Sequence, residues 1–177
     1  MNKEQKTALR QELLDKILSN DIIQKLTLIF NDNYRQTKLV GGAIVDILED
    51  RTPKDYDIIN GYSDKLLEAG FSFKYSTKTA DTYHDGNICV QFLKTTLDKF
   101  DYKISQSEFD FKNQKLIIDL HSFVNKDLIP VSFEQDRCID SLQRIPHWKK
   151  KGYSINDNTY LSLLQNGLNL KHKIINS

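Results

Sequence analysis

The stretch Leu39–Asn60, LVGGAIVDILEDRTPKDYDIIN, decides how this chain is read. Lys38-Leu39-Val40 is a short strand candidate that ends in Gly41-Gly42, and a helix-like apolar run, AIVDILED, follows. Pro53 interrupts that run, and Tyr56–Ile59 reads as a second strand. Glycines between a strand and a helix let the backbone come close to a phosphate, and the first N–H groups of the helix have no intrahelical acceptor. Asp55 and Asp57 are one residue apart, so strand alternation sets both carboxylates on one face. Two carboxylates so placed repel each other unless a cation neutralises them, and hard oxygen ligands suit Mg²⁺. A strand–helix–strand path would bring the glycines beside the carboxylates. The stretch therefore predicts a triphosphate site, with backbone donors at Gly41 and Gly42 and Mg²⁺ on Asp55 and Asp57. Lys54 and Arg51 add positive charge nearby.

Outward from this stretch, helical signals occupy both ends. Leu9, Leu13 and Ile17, with Leu14 and Leu18, form one apolar stripe. Asn20 or Asp21 caps a second helix carrying Ile22, Ile23, Leu26, Ile29 and Phe30. A short helix over Ser63–Ala69 stops at Gly70. The middle is strand-rich, with candidates at Phe71–Tyr75, Asn87–Leu93, Phe109–Phe111 and Lys115–Leu120. Asp85-Gly86 and Asn113 supply turn chemistry. After Pro130, Ile139, Leu142 and Ile145 return to helical spacing, as do Leu161, Leu164 and Leu168 behind a cap at Asp157 or Asn158. The order predicts an α+β fold, a mixed β-sheet flanked by helices with N-terminal and C-terminal helical segments. Its expected parts are N-terminal helices over 1–35, a catalytic domain over 36–130 and a helical neck-like segment over 131–177.

Composition narrows the function classes. No apolar run approaches the roughly 20 residues that span a bilayer, and the polar start MNKEQKTALRQELLDKIL lacks the apolar block of a signal peptide. A cytoplasmic protein without membrane contact is expected. Cys89 and Cys138 are too few and too far apart for a disulfide framework or a zinc site, and Cys89 in NICVQF reads as a small core residue. His84, His121, His147 and His172 show no metal spacing. From Gln135 onward there are seven Lys or Arg and three Asp, a charge of +4 against −3 for the remainder. Such a tail fits either a polyanion partner or a solvated helical surface. Trp148 beside Lys149-Lys150-Lys151 poses the same choice, a base-stacking platform or a partly buried aromatic at a helix end.

The central run resembles the signature of the tRNA nucleotidyltransferase (class II CCA-adding) and bacterial poly(A) polymerase family. In outline that signature is Gly-Gly-x-Val-Arg-Asp, a few residues, then Lys-Asp-x-Asp-Ile. Gly41, Gly42, Ile44, Asp46, Arg51, Pro53, Lys54, Asp55, Asp57 and Ile58 fall on it in register. Lys99–Ser105, KFDYKIS, resembles a diverged copy of the family's ribose-contacting Arg-Arg-Asp-Phe-Thr-Ile-Asn segment, keeping Asp101 and Ile104. Ile117–Leu120 with Asp127-Leu128 echoes a further family stretch, and Ser132–Ile155 resembles the helical neck. The similarity spans about residues 38–156 and is strongest over 39–60. It implies the nucleotidyltransferase fold, a head with part of the neck. It also implies an enzyme that binds a nucleoside triphosphate, ATP among the candidates, with Mg²⁺ on Asp55 and Asp57.

Four departures stand out. The arginine of the glycine signature is Val45. The arginine pair of the ribose segment is Lys99-Phe100, which loses the bidentate fork. Gln91 occupies the strand that often supplies a further acid in such folds, leaving Asp119 as a substitute ligand or a turn residue. In FEQDRCIDSLQRI, Asp136, Arg137, Asp140 and Arg144 have chemistry suited to reading a base edge, but the spacing fits equally the charged outer face of a helix. The expected nucleotide-binding set is thus Gly41, Gly42, Lys54, Arg51, Asp101, Arg137 and Arg144. The expected reaction is Mg²⁺-dependent transfer of a nucleoside monophosphate to an acceptor hydroxyl at an RNA 3′ end, of tRNA or another RNA. Two alternatives stay open: an inactive nucleotide- or RNA-binding module, and transfer onto a protein or small-molecule hydroxyl. With 177 residues, helical domains that grip a whole tRNA are not expected within this sequence.

Overall fold

A computed structural model of the protein describes residues 1–31 and 36–175, with side chains described through residue 168. The expected boundary at residue 35 and the side chain of His172 lie outside the described residues. The chain forms two compact units, Met1–Leu97 with Ser107–Ile118, and Asp98–Gln106 with Asp119–Ser177. The N-terminal helices share a unit with the sheet. No described helix is long and apolar enough to cross a membrane.

The first unit holds α1 (Lys3–Leu18), α2 (Asp21–Phe30), α3 (Gly42–Leu48), α4 (Ser63–Glu68) and seven strands. The strands are β1 (Lys38–Val40), β2 (Tyr56–Ile59), β3 (Ser72–Ser76), β4 (Ala80–His84), β5 (Cys89–Leu93), β6 (Glu108–Asp110) and β7 (Lys115–Ile117). They form one mixed sheet in the order β3-β4-β5-β2-β1-β6-β7. Among the described strands, β2 and β5 run parallel and the other strand pairings are antiparallel.

The helices form where caps and apolar stripes agree. Asn2 and Gln5 make a reciprocal capping box on α1. Asn20, of the two candidates, caps α2 by accepting from the N–H groups of Ile22 and Ile23. Leu13 and Ile17 of α1, and Ile23, Leu26 and Phe30 of α2, are buried. The Phe30 ring meets Phe92 of β5 edge-on at 6.0 Å and Phe111 at 5.5 Å, which ties α2 to the sheet. Truncating Phe30 to alanine would cost about 3–5 kcal/mol.

β4 was not anticipated. ADTYH shows no apolar alternation, and the strand exists because β3 and β5 both offer it an antiparallel partner. The strand expected over Lys115–Leu120 stops at Ile117, because Asp119 accepts from the Ser122 N–H at 2.7 Å and starts a helix there.

The second unit holds α5 (Leu120–Asn125), α6 (Gln135–Lys150) and α7 (Asp157–Ile175). Asn156, rather than Asp157 or Asn158, caps α7 by accepting from the Thr159 N–H at 2.9 Å. On α6, Cys138, Ser141, Ile145 and Trp148 repeat at helical spacing and are buried. Tyr102 is fully buried, and its hydroxyl donates to the Ser141 carbonyl at 2.6 Å.

Candidate active site

Strand register assembles the predicted stretch. In the antiparallel β1–β2 pair, Val40 faces Asp57. In the parallel β2–β5 pair, Gln91 faces Asp57. In the β1–β6 pair, Val40 faces Glu108. Paired residues project from the same side of a sheet, so Gln91, Asp57, Val40 and Glu108 form one row across one face. Asp55 precedes Asp57 by two residues and shares its side, between the buried Tyr56 and the preceding exposed Lys54. Both aspartates are half-buried, while Tyr56 and Ile58, on the opposite side, are buried. Because β1 and β2 are antiparallel, the end of β1 lies at the start of β2. The glycine pair therefore sits at the same end of the strands as Asp55.

Gly41 turns the chain from β1 into α3 with φ +81° and ψ −147°, a conformation that glycine adopts without steric cost. Its N–H donates to the Ser107 carbonyl at 3.0 Å. The expectation that Gly41 offers its N–H to a phosphate is therefore corrected: that donor holds β1 to the segment entering β6. The N–H groups of Gly42 and Ala43, in the first turn of α3, are the ones that helix geometry leaves for a ligand.

Arg51 is also placed differently from the expectation. Its Nε donates to Asp46 Oδ1 at 2.9 Å, Nη1 pairs with Glu49, and its backbone N–H bonds the Asp46 carbonyl at 2.8 Å. Burial alone would lower the guanidinium pKa, but Asp46 and Glu49 outweigh it and hold it above the ordinary value. Arg51 thus neutralises the buried Asp46 and closes the end of α3. Of the two cations expected near the triphosphate, Lys54 is the exposed one.

Gln91 donates from Nε2 to Asp55 Oδ2 at 3.5 Å. A neutral amide therefore stands beside the aspartate pair where a third carboxylate was sought. Cys89, two residues earlier on the same side of β5, is partly exposed rather than core. Burial and then the Asp55 charge push its thiol pKa up. Glu108, which the sequence reading missed, is a carboxylate in the row, but it is two strands from Asp57 and bidentate to Lys38 Nζ at 2.9 and 3.0 Å. Alternation in SEFDF was the available signal, since it puts Glu108 and Asp110 on one side. Asp119 serves α5 as its cap.

Among the described residues, no group of three or more His, Cys, Asp or Glu is placed to hold a metal ion. Asp55 and Asp57 still fit Mg²⁺, which is commonly held by one or two carboxylates together with substrate phosphates.

In the second unit, Asp101, Arg137 and Arg144 come together. Arg144 Nε pairs with Asp101 at 3.0 Å, and Arg137 Nη2 donates to the Phe100 carbonyl at 2.8 Å. Burial raises the Asp101 pKa above the usual carboxylate range; Asp140 adds to this, against the pull of Arg144 and Arg137. The two arginines are therefore engaged with the 98–106 segment. Trp148 is not a stacking platform, because it is buried against Tyr153 with ring centroids 5.1 Å apart.

No family model matches the chain, and no curated protein matches its sequence. Solved structures do match its fold. A CCA-adding enzyme in complex with ATP aligns with TM-score 0.67 at 17% identity, over 87% of this chain and 44% of its own. The Thermotoga maritima CCA-adding enzyme complexed with tRNA aligns with TM-score 0.65 at 16% identity, over 89% of this chain and 44% of its own. A tRNA-processing enzyme with CTP aligns with TM-score 0.56 at 15% identity, over 73% and 42%. The chain spans under half the length of these structures and has the α+β fold of the CCA-adding nucleotidyltransferases over that length.

Proposed function

We propose that this protein is a nucleotidyltransferase that moves a nucleoside monophosphate from a nucleoside triphosphate to an acceptor hydroxyl, at an RNA 3′ end. The observation that carries this reading is the β1–β2 register, which sets Asp55 and Asp57 on one face at the end of the strands where Gly41-Gly42 opens α3. The solved structures that share the fold include complexes with ATP, with CTP and with tRNA, and these support the choice of nucleotide and RNA as partners.

The acceptor hydroxyl attacks the α-phosphate, the bond to the bridging oxygen breaks, and pyrophosphate leaves. Asp55 and Asp57 would hold Mg²⁺, which would lower the pKa of the attacking hydroxyl and offset charge on the leaving pyrophosphate. The N–H groups at the start of α3 receive phosphate oxygens, and Lys54 adds a cation at the exposed end. Asp101, by its likeness to a family position, is a candidate for the ribose side, and Arg137 and Arg144 have side-chain chemistry suited to a base edge.

The test is incubation of the protein with each labelled nucleoside triphosphate, Mg²⁺ and total RNA, beside an Asp55→Ala/Asp57→Ala control. Label on RNA that requires the aspartates is the expected result. Absence of label with every nucleotide overturns the RNA reading. Gln91 is the observation that favours the second reading, a nucleotide-binding module without transfer, because it puts an amide where a charged ligand would strengthen a metal site. Nucleotide binding without label on RNA would point there, unless label appeared on a protein or small-molecule hydroxyl.

A further inference from the structure

We propose that Gln91 is a positioning residue that keeps the Asp55–Asp57 pair from holding a divalent cation by itself, so that the cation enters together with the triphosphate. This rests on the nucleotidyltransferase reading of the same site. The Gln91 side chain lies in register with Asp57 across the β2–β5 pair and reaches Asp55 Oδ2 with its amide nitrogen. The amide supplies a donor to the carboxylate and adds no charge to the face. A glutamate has the same length and would project from the same position, so one atom exchange decides whether the face carries two neighbouring carboxylates or three.

Among the described residues, the other acid in this row does not fill the place. Glu108 is in the same row but separated from Asp57 by Val40, and both of its oxygens are taken by Lys38. The affinity of an oxygen-ligand site for a divalent ion rises with the number of charged ligands, and Mg²⁺ gives up its waters reluctantly. With two aspartates and an amide, the protein would leave the coordination of a divalent ion short, and triphosphate oxygens would have to complete it. The order of arrival follows from the donor set: cation and triphosphate as one complex, docked against the pair.

The probe is Mn²⁺ alone, its free fraction followed by electron paramagnetic resonance, with melting temperature measured in EDTA and in Mn²⁺. Wild type is expected to bind Mn²⁺ weakly without nucleotide. Gln91→Glu is expected to bind it at least about tenfold more tightly and to melt lower than wild type in EDTA, with Mn²⁺ restoring the difference. Gln91→Asp, a shorter carboxylate, keeps the comparison decisive if Gln91→Glu does not fold. The gain must disappear in Gln91→Glu/Asp57→Ala.

Unchanged Mn²⁺ affinity in the carboxylate variants overturns the inference, as does a gain that survives Asp57→Ala. Wild type that binds Mn²⁺ at micromolar concentration without nucleotide also overturns it, whether or not any variant folds. The transfer assay reads the enzyme assignment separately. Absent transfer with an intact Gln91→Glu gain would remove that assignment and leave the role of Gln91 standing, whereas transfer without the gain would do the reverse.

Discussion

Asp55 of the first unit and Asp101 of the second are both aspartates that the sequence assigns to nucleotide handling, yet their surroundings differ in kind. Asp55 is half-buried, stands two residues from another aspartate on the same face, and accepts from a neutral amide. Asp101 is likewise half-buried but pairs with the guanidinium of Arg144, with Arg137 close by on the same helix face. The second grouping carries its own counter-charge in Arg144. The first sets two carboxylates on one face beside a glycine turn, the arrangement that the proposed Mg²⁺ site uses.

Asp57→Ala breaks the comparison most sharply. Transfer should fall by about 10²–10³-fold or more, the scale set by losing charge stabilisation at the reacting phosphate. The fold should persist by circular dichroism. Wild-type transfer by the purified variant would show that β2 is not the metal strand.

Glu108 tests whether a carboxylate on the same face is structural when its charge is matched. Lys38→Met leaves it buried without its cation. Removing one partner of a fully buried pair costs about 3–5 kcal/mol; here about 2–3 kcal/mol is expected, since Lys38 keeps 21% side-chain exposure and water screens part of the loss. Urea unfolding reads it, and Lys38→Met/Glu108→Leu should recover part of it. A Lys38→Met protein as stable as wild type would make the pair dispensable and reopen Glu108 as a ligand.

Asp110 adds a pH dependence of definite sign. Burial pushes its pKa up, but the backbone and side-chain bonds from Asn113 outweigh that and hold it below the usual carboxylate range. A folded-state pKa below the unfolded one gives stability that is present above the unfolded value and lost as pH falls through the folded value. Asp110→Ala should therefore cost about 1–2 kcal/mol at neutral pH, and the gap to wild type should close below about pH 4. A constant difference from pH 7 to pH 3 would assign the loss to packing alone.

The parts of this molecule that could be read from sequence are those in which local signals and tertiary pairing agree. LVGGAIVDILED gave strand, turn and helix in order, and Asp-Tyr-Asp gave a shared face, because both depend on short-range geometry. β4 could not be read, since ADTYH becomes a strand only through its neighbours β3 and β5. Arg51 looked like a phosphate ligand because its charge was visible while the buried Asp46 that claims it was not. Gly41 carried the right residue for a close approach, but the acceptor of its N–H, Ser107, lies 66 residues away in sequence. Of the two readings that the sequence left open for Trp148, a base-stacking platform or a partly buried aromatic, packing against Tyr153 selects the buried one.

The smallest expected effect concerns Asp101, and it decides whether its cluster is held for stability or for a ligand. Its pKa is raised, so between the ordinary aspartate value and the folded one the folded state binds the proton more tightly than the unfolded chain. Stability from this group therefore declines as pH rises through that window, and the ionised carboxylate carries a cost at neutral pH. Arg144 offsets part of that cost, but its side chain is 67% exposed, where ion pairs contribute little. Asp101→Asn removes the charge, keeps an acceptor for Arg144, and should change stability at pH 7 by less than about 1 kcal/mol, toward stabilisation. If thermal unfolding agrees while nucleotide binding weakens several-fold, Asp101 is retained at a cost to the fold because a ligand uses it. If the variant is distinctly less stable and binds nucleotide as wild type does, the Asp101–Arg144 pair is a structural fastening of the second unit, and the nucleotide contacts belong to the first unit alone.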